Sequence, residues 1–270
     1  MMGAVYANRV ARVLRRAVGA LVVPVLGLAL AGPVHAADDA SAIVKAMSDY
    51  VASQKTIAMT FDTSIEVVTP EIEKIRFASS GSLDLNRPNQ FRAHRVGGYA
   101  DVEAVSDGKL FTLLGRNLNR YAQLPIEGGT IDDIVAGLRQ AGAELPAADL
   151  ISSNAYDALM GGVIDGRHIG RGVIDGVECE HLAFRTLDTD WQLWVEIGEH
   201  PIPRQFVITS KAVAAAPEYT IRIKSWNTAP NFAADAFAFT APKGAEKVDF
   251  AALGEMDEVP PSAAAKGDLK

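Results

Sequence analysis

Cysteine is nearly absent from this chain. Cys179 is the only one in 270 residues, so no intramolecular disulfide can form. Histidine is scarce as well. Beyond residue 36 the chain has only His94, His168, His181 and His200; no two lie four apart, and there is no His-Glu-x-x-His motif. A Gly-x-Ser-x-Gly elbow is missing. Gly161, Gly162, Gly166, Gly170 and Gly172 make a glycine-rich stretch, but it lacks the Lys-Ser/Thr of a phosphate loop. Cys179-Glu180-His181 offers two potential metal ligands on one strand, which is too few without a second cluster. The expectation is therefore a protein that is not an enzyme and holds no metal and no cofactor.

Long apolar runs are also lacking, except at the start. Arg9, Arg12, Arg15 and Arg16 precede an apolar stretch over residues 17–31, and Val34-His35-Ala36 offers small side chains at −3 and −1. This is the pattern of an export signal, residues 1–36, cleaved after Ala36. The alternative, an uncleaved membrane anchor, is disfavoured by the shortness of the run and by Pro24. With no cysteine at that site, no lipid anchor is expected. An excess of positive charge is missing too. Without residues 1–36, 22 basic side chains face 33 acidic ones, a net charge near −11. That excludes nucleic acid as the expected partner and disfavours nonspecific docking on anionic lipid.

What is present is periodicity. Ile43, Val44, Met47, Tyr50 and Val51 recur at helical spacing, predicting a helix over 37–54. From Thr56 the period becomes two. Strands are predicted from 57 to a turn at Pro70, from 75 to 85, and over 91–96, 100–106, 110–114 and 119–124. Gly97-Gly98, Asp107-Gly108 and Gly115 with Asn117 supply the turns. Helical spacing returns over 131–138, behind Thr130 as cap, and again over 150–160. Strands follow over 163–169, 177–187, 191–197, 204–210 and 219–226, with a last short strand or turn at Phe237-Ala238-Phe239. Val163-Ile-Asp-Gly166 is echoed by Val173-Ile-Asp-Gly176, read as two Asp-Gly hairpin turns. The fold class is mainly β with helices (α+β): a strongly curved antiparallel sheet or incomplete β-barrel of about 11 strands, with an N-terminal helix and an inserted helical lid on its concave face. Residues 37–250 form one domain, and 251–270 a flexible tail rich in Ala, Pro and charge.

One segment stands out. Gly81-Ser82-Leu83-Asp84-Leu85-Asn86-Arg87-Pro88-Asn89-Gln90-Phe91 alternates, stops at Pro88 and resumes at Phe91; Ser106-Asp107-Gly108-Lys109 follows as a tight turn. Proline cannot donate to a ladder, so Arg87 is placed at a sheet rim. This order resembles the periplasmic lipoprotein-carrier superfamily, proteins that ferry lipoproteins between bacterial membranes, and most closely its uncharacterised predicted periplasmic members. Gly176-Val-Glu-Cys-Glu-His181, Pro201-Ile202-Pro203 and Phe237-Ala-Phe239-Thr-Ala-Pro242-Lys-Gly244 extend the resemblance to residues 40–249. It implies an incompletely closed barrel around a helical lid. It also implies that Arg87 reaches lid carbonyls and holds the lid shut.

The expected function is an exported periplasmic protein that binds a hydrophobic ligand, a lipid or lipoprotein acyl chain carried between membranes. Envelope membrane proteins would be further partners. The alternative is a signalling or scaffolding module on the same fold that senses lipidated or misfolded proteins; a small hydrolase ranks below both. Alternation nominates Phe61, Phe77, Leu83, Phe91, Phe111, Trp191, Leu193, Phe206, Ile208, Tyr219 and Ile221 as cavity wall, with plain core as the competing reading. Arg87, Ile131, Ile134, Leu138, Leu150, Leu159 and Met160 are the lid and gate candidates.

Overall fold

A computed structural model describes residues 34–126, 129–140, 143 and 145–250. The expected signal lies outside the described residues up to position 33, and the expected tail 251–270 lies wholly outside them. Helix α1 (Val34–Ser53) buries Ala40, Val44, Met47 and Val51. Their 4-3-4 spacing makes one face, which packs on the strands at one side of the sheet. The chain then enters a long hairpin, β1 (Thr56–Val68) and β2 (Lys74–Asn86), paired over its whole length. The meander continues as β3 (Gln90–Gly97), β4 (Asp101–Asp107), β5 (Leu110–Gly115) and β6 (Arg120–Pro125).

Helical structure interrupts it: α2 (Ile131–Gln140), a 3-10 turn (Ala148–Ile151) and α3 (Ala155–Met160). Thr130 precedes α2 in a reciprocal cap with Asp133: the Thr130 amide donates to the Asp133 carboxylate at 2.7 Å. A second meander follows, β7 (Asp165–Ile174), β8 (Val177–Arg185), β9 (Thr189–Glu196), β10 (Pro203–Ser210) and β11 (Glu218–Asn227). A short β12 (Glu246–Lys247) ends the set. β1 pairs with β2 on one side and β11 on the other, which joins the two meanders. The order is β12-β6-β5-β4-β3-β2-β1-β11-β10-β9-β8-β7, a curved open sheet of twelve strands not closed into a barrel. Register shifts at Thr60/Phe61, His168/Gly170 and Pro203/Gln205 are bulges, which sharpen twist and bend. One apolar cluster joins α1, the later helices and one face of the sheet. Among the described residues no helix is long and apolar enough to cross a membrane.

The strand periods are met closely, and two local expectations are corrected. Phe237-Ala238-Phe239, expected as a short strand or turn, is a turn running into coil, and a twelfth strand lies at Glu246–Lys247, parallel to β6. The reason is Arg92, whose guanidinium donates to the carbonyls of Ala236 (2.7 Å) and Ala238 (2.6 Å) in place of a ladder. Asp165-Gly166 lies within β7 and makes no turn; only Asp175-Gly176 turns, joining β7 to β8. Gly166 is instead a close approach, where a Cβ would sit 2.8 Å from the Phe184 ring. The expected helix over 150–160 is two pieces, broken at Ser152-Ser153, with Asn154 capping the second by accepting from the Asp157 amide.

Candidate functional site

The two turns singled out in the sequence lie side by side. Asp107 Oδ1 accepts from the amides of Lys109 (2.7 Å) and Leu110 (2.8 Å), closing the β4–β5 turn, with Gly108 at φ 90°. Ser106 Oγ donates to the Asn89 carbonyl at 2.6 Å, fastening that turn to the β2–β3 turn. The Arg87–Pro88 peptide there is cis. Its neighbours are the helices. The Ile131 amide, first in α2, donates to the Pro88 carbonyl at 2.9 Å. Arg87 Nη2 donates to the Ile151 carbonyl at 2.8 Å and Nε to the Gln54 carbonyl at 3.1 Å. Burial pushes the Arg87 pKa down, and the nearby Asp132 carboxylate pushes it back up. Asp132 in turn accepts from the Ser153 amide at 3.1 Å and from its hydroxyl. Arg139 and Asp149 form a bidentate pair at 2.8 and 3.0 Å. On the far side, Ser48 Oγ of α1 accepts from the Tyr156 amide at 2.9 Å.

Beneath this roof lies a cavity of about 290 Å³. Its floor follows the register. Met59, Leu83, Ala93, Ala104 and Leu113 are successive cross-strand partners from β1 to β5. The next row is Phe61, Gly81, Arg95 and Val102. β11 adds Tyr219, Ile221, Ile223 and Trp226, and residues 145–148, Leu150 and Ile151 close the top. The void exists because several floor positions are small. At Gly81 a Cβ would fall 2.5 Å from the Phe61 ring and 2.7 Å from the His94 carbonyl, so only glycine lets that ring lie across β2. The Trp226 indole nitrogen is buried and has no hydrogen-bond partner among the described residues.

Of the residues nominated from sequence, Phe61, Leu83, Tyr219, Ile221 and Leu150 line the cavity. Phe91 and Phe111 are buried core beside it, rings 6.1 Å apart. Trp191, Leu193 and Phe206 are buried too; Trp191 stacks on Phe184 at 4.1 Å and meets Phe206 edge-on at 5.7 Å. Ile208 is half-buried against the same cluster, whereas Phe77 meets Tyr99 edge-on. Ile131, Ile134, Leu138 and Leu159 are buried on the sheet-facing side of the helices, with Met160 packed against them. The missed lining residues are chiefly Met59, Ala93, Ala104, Leu113 and Trp226. Ile223, which also lines the cavity, shares the alternation that marks Tyr219 and Ile221. Ala93 and Ala104 carried no such signal, because an alanine in a strand marks neither a wall nor a void.

The Cys179-Glu180-His181 stretch is engaged internally. Cys179 is fully buried, and burial pushes its thiol pKa up. Glu180 pairs with His168 at 2.6 Å, and His181 bonds Gln192 at 2.9 Å while stacking on Trp194. Among the described residues no group of three or more His, Cys, Asp or Glu is placed to hold a metal.

A profile of the family described as "Predicted periplasmic protein (DUF2092)" matches residues 40–251. No curated protein matches the sequence. Among solved structures, LprF from Mycobacterium bovis is 12% identical over 78% of this chain and 99% of its own, with a TM-score of 0.46. The MucA/MucB complex from Pseudomonas aeruginosa gives 13% identity over 75% and 62%, with a TM-score of 0.42. A putative outer membrane lipoprotein-sorting protein domain from Vibrio parahaemolyticus gives 9% over 75% and 97%, at 0.33.

Proposed function

The chain belongs to that family of predicted periplasmic proteins, and from this premise we propose that it is a periplasmic binding protein for a hydrophobic ligand, taking a lipid or lipoprotein acyl chain from one membrane toward another. The observation that carries the reading is the cavity of about 290 Å³, floored by aliphatic and small side chains and roofed by a separate helical segment. It is roughly twice the ~150 Å³ apolar cavity that stays dry and takes up benzene. Each methylene moved into such a space contributes about 0.8 kcal/mol, so an acyl chain binds by burial alone. Release requires that the empty state be nearly as favourable. A roof able to settle onto the floor offers that, because it buries the same apolar surface in the ligand's place. On this reading the chain reaches the periplasm through the export signal at residues 1–36. Its work is binding and not catalysis.

Two measurements test this. Native mass spectrometry of protein purified from its own periplasm should show a bound lipid. Ala104→Leu, which adds apolar volume to the floor, should weaken binding of an apolar fluorescent probe about tenfold, equivalent to about 1.4 kcal/mol. It should leave the melting temperature unchanged or higher, since it fills a void. No bound lipid together with unaltered probe binding in Ala104→Leu would overturn the proposal.

A further inference from the structure

The two ends of the sheet differ. Five turns, at 69–73, 98–100, 116–119, 186–188 and 211–217, lie at the end away from Arg87. Each presents one large apolar side chain to solvent: Ile72, Tyr99, Leu118, Leu187 and Val213, between 38% and 80% exposed. Ile164, 62% exposed, leads into β7 at the same end, its amide donating to the Arg185 carbonyl at 2.8 Å. The four strand-to-strand turns at the Arg87 end are 87–89, 108–109, 175–176 and 197–202. Among the described residues, none of these four carries an exposed large apolar side chain. A single exposed apolar residue is ordinary; one on every turn of one end is a pattern. In the strand order the tips occupy every second gap, so neighbouring tips stand two strand spacings, about 10 Å, apart.

This rim leads into the cavity. Phe77, the fourth residue of β2, is half-buried and meets the Tyr99 ring edge-on at 5.7 Å. Its cross-strand partner is Ile65, whose partner on the other side is Tyr219 of the cavity lining. An apolar step therefore joins rim to cavity at the end opposite the Ile131–Pro88 bond that holds the roof. Charge at the rim is nearly balanced. The five turns hold two basic residues, Arg116 and Lys211, and three acidic ones, Glu71, Glu73 and Asp188, whereas the chain as a whole carries −7.

Resting on the ligand-carrying reading above, we propose that the rim docks on the zwitterionic surface of a phospholipid bilayer, with its apolar tips in the headgroup layer and the cavity facing the lipid with which it exchanges an acyl chain. Tips about 10 Å apart among polar turn residues do not make the continuous apolar core of a protein interface. Each can enter a lipid interface on its own, and tyrosine is at home at headgroup level. A nearly neutral rim meets no net repulsion from zwitterionic headgroups, and the acidic remainder of the chain gains nothing from anionic ones. Docked in this way, an acyl chain moves between bilayer and cavity without exposing its methylenes to water.

The test floats the protein purified from the periplasm with vesicles of palmitoyl-oleoyl phosphatidylcholine. The parent should bind, and Ile72→Ser, Leu187→Ser and Val213→Ser combined should lower the partition coefficient roughly tenfold or more. Val173→Ser removes a side chain just as exposed, at 63%, beside the 175–176 turn of the opposite end, and should change nothing. All four positions are exposed, so melting temperature and uptake of an apolar probe in solution should stay as in the parent. Replacing about a third of the lipid by phosphatidylglycerol should not tighten binding. Docking is overturned if the parent does not float, if the triple variant floats as well as the parent, or if Val173→Ser loses as much. Binding that requires phosphatidylglycerol and fades with salt would overturn it too. Sedimentation without vesicles covers a second copy as occupant: a dimer broken by the triple variant would assign the rim to self-association and overturn the proposal. In each of these cases probe uptake in solution leaves ligand carriage standing. Vesicle binding without probe uptake would overturn ligand carriage, and with it the transfer role of the rim.

Discussion

Arg87 joins three parts of the chain that are far apart in sequence. Its own amide bonds the Lys55 carbonyl at 2.9 Å, Nε bonds Gln54, and Nη2 bonds Ile151 at the end of the roof. A permanent charge with several donors can satisfy two carbonyls at once, which no lysine does with the same geometry. Hydrogen bonds from a charged donor contribute about 1.5–3 kcal/mol, and stranding a buried carbonyl costs a similar amount. Arg87→Leu is therefore expected to weaken roof closure by roughly 2–3 kcal/mol. The unliganded variant should bind more of an apolar dye and be cut faster by protease within residues 131–160. Unchanged dye binding and protease sensitivity would show that the arginine is a rim contact only. This residue was legible in the sequence because Pro88 fixes a strand end and so fixes what precedes it. Ala93 and Ala104, which matter as much to the cavity, were not legible, since their contribution is the volume they leave empty.

At the scale of elements, the second meander is fastened by charge at its loops. Arg185 at the end of β8 grips Asp190 of β9 with two bonds, 3.0 and 3.1 Å, and Lys211 after β10 approaches the same carboxylate at 2.8 Å. The Arg185 hydrogen bond, then that of Lys211, holds the Asp190 pKa down, from 3.8 to about 2. A carboxylate lowered on folding contributes stability that is complete above its unfolded value and lost as pH falls through its folded value. The window is therefore between about pH 4 and pH 2. The side chain is 32% exposed, so solvent screening reduces the contribution to about 1 kcal/mol. Asp190→Asn should be less stable by about that amount near pH 6 and lose less stability than the parent between pH 4 and pH 2. Denaturant midpoints across that range measure it, and parallel curves for the two proteins would refute the clamp. Strand periods made this meander readable from sequence, because alternation is enforced wherever one face is buried. At Phe237–Phe239 the sequence left strand and turn both open, because what decides it is Arg92, a side chain 144 residues from Ala236, which takes the Ala236 and Ala238 carbonyls.

For the molecule as a whole, periodicity revealed the sheet and the order of its parts but not the difference between filled and empty space. Trp191 and Phe61 alternate alike, yet one sits in packed core and the other over a void. Packing depends on what faces a residue across the sheet, and a single strand's pattern does not contain that. The same organisation divides the fold into parts of unequal strength. Strands β1 and β2 are each bonded on both sides along most of their length. The segment from α2 to α3 meets the rest through the Ile131, Arg87 and Tyr156 bonds and the burial of Ile131, Ile134, Leu138, Leu150 and Leu159. Regions with fewer backbone tethers open locally at lower free energy than the global unfolding of the sheet. In native-state hydrogen exchange of the empty protein, amides of α2 and α3 are expected to exchange at least tenfold faster than the paired amides of β1 and β2. An acyl ligand held between roof and floor ties the two together, so at saturation it should slow exchange in the helices in proportion to its concentration over its dissociation constant. Exchange in β1 and β2 should change less, unless it already proceeds through global unfolding. Helices protected as strongly as β1 and β2 without ligand would mean that roof and sheet open together, and the cavity would then fill only by unfolding the protein.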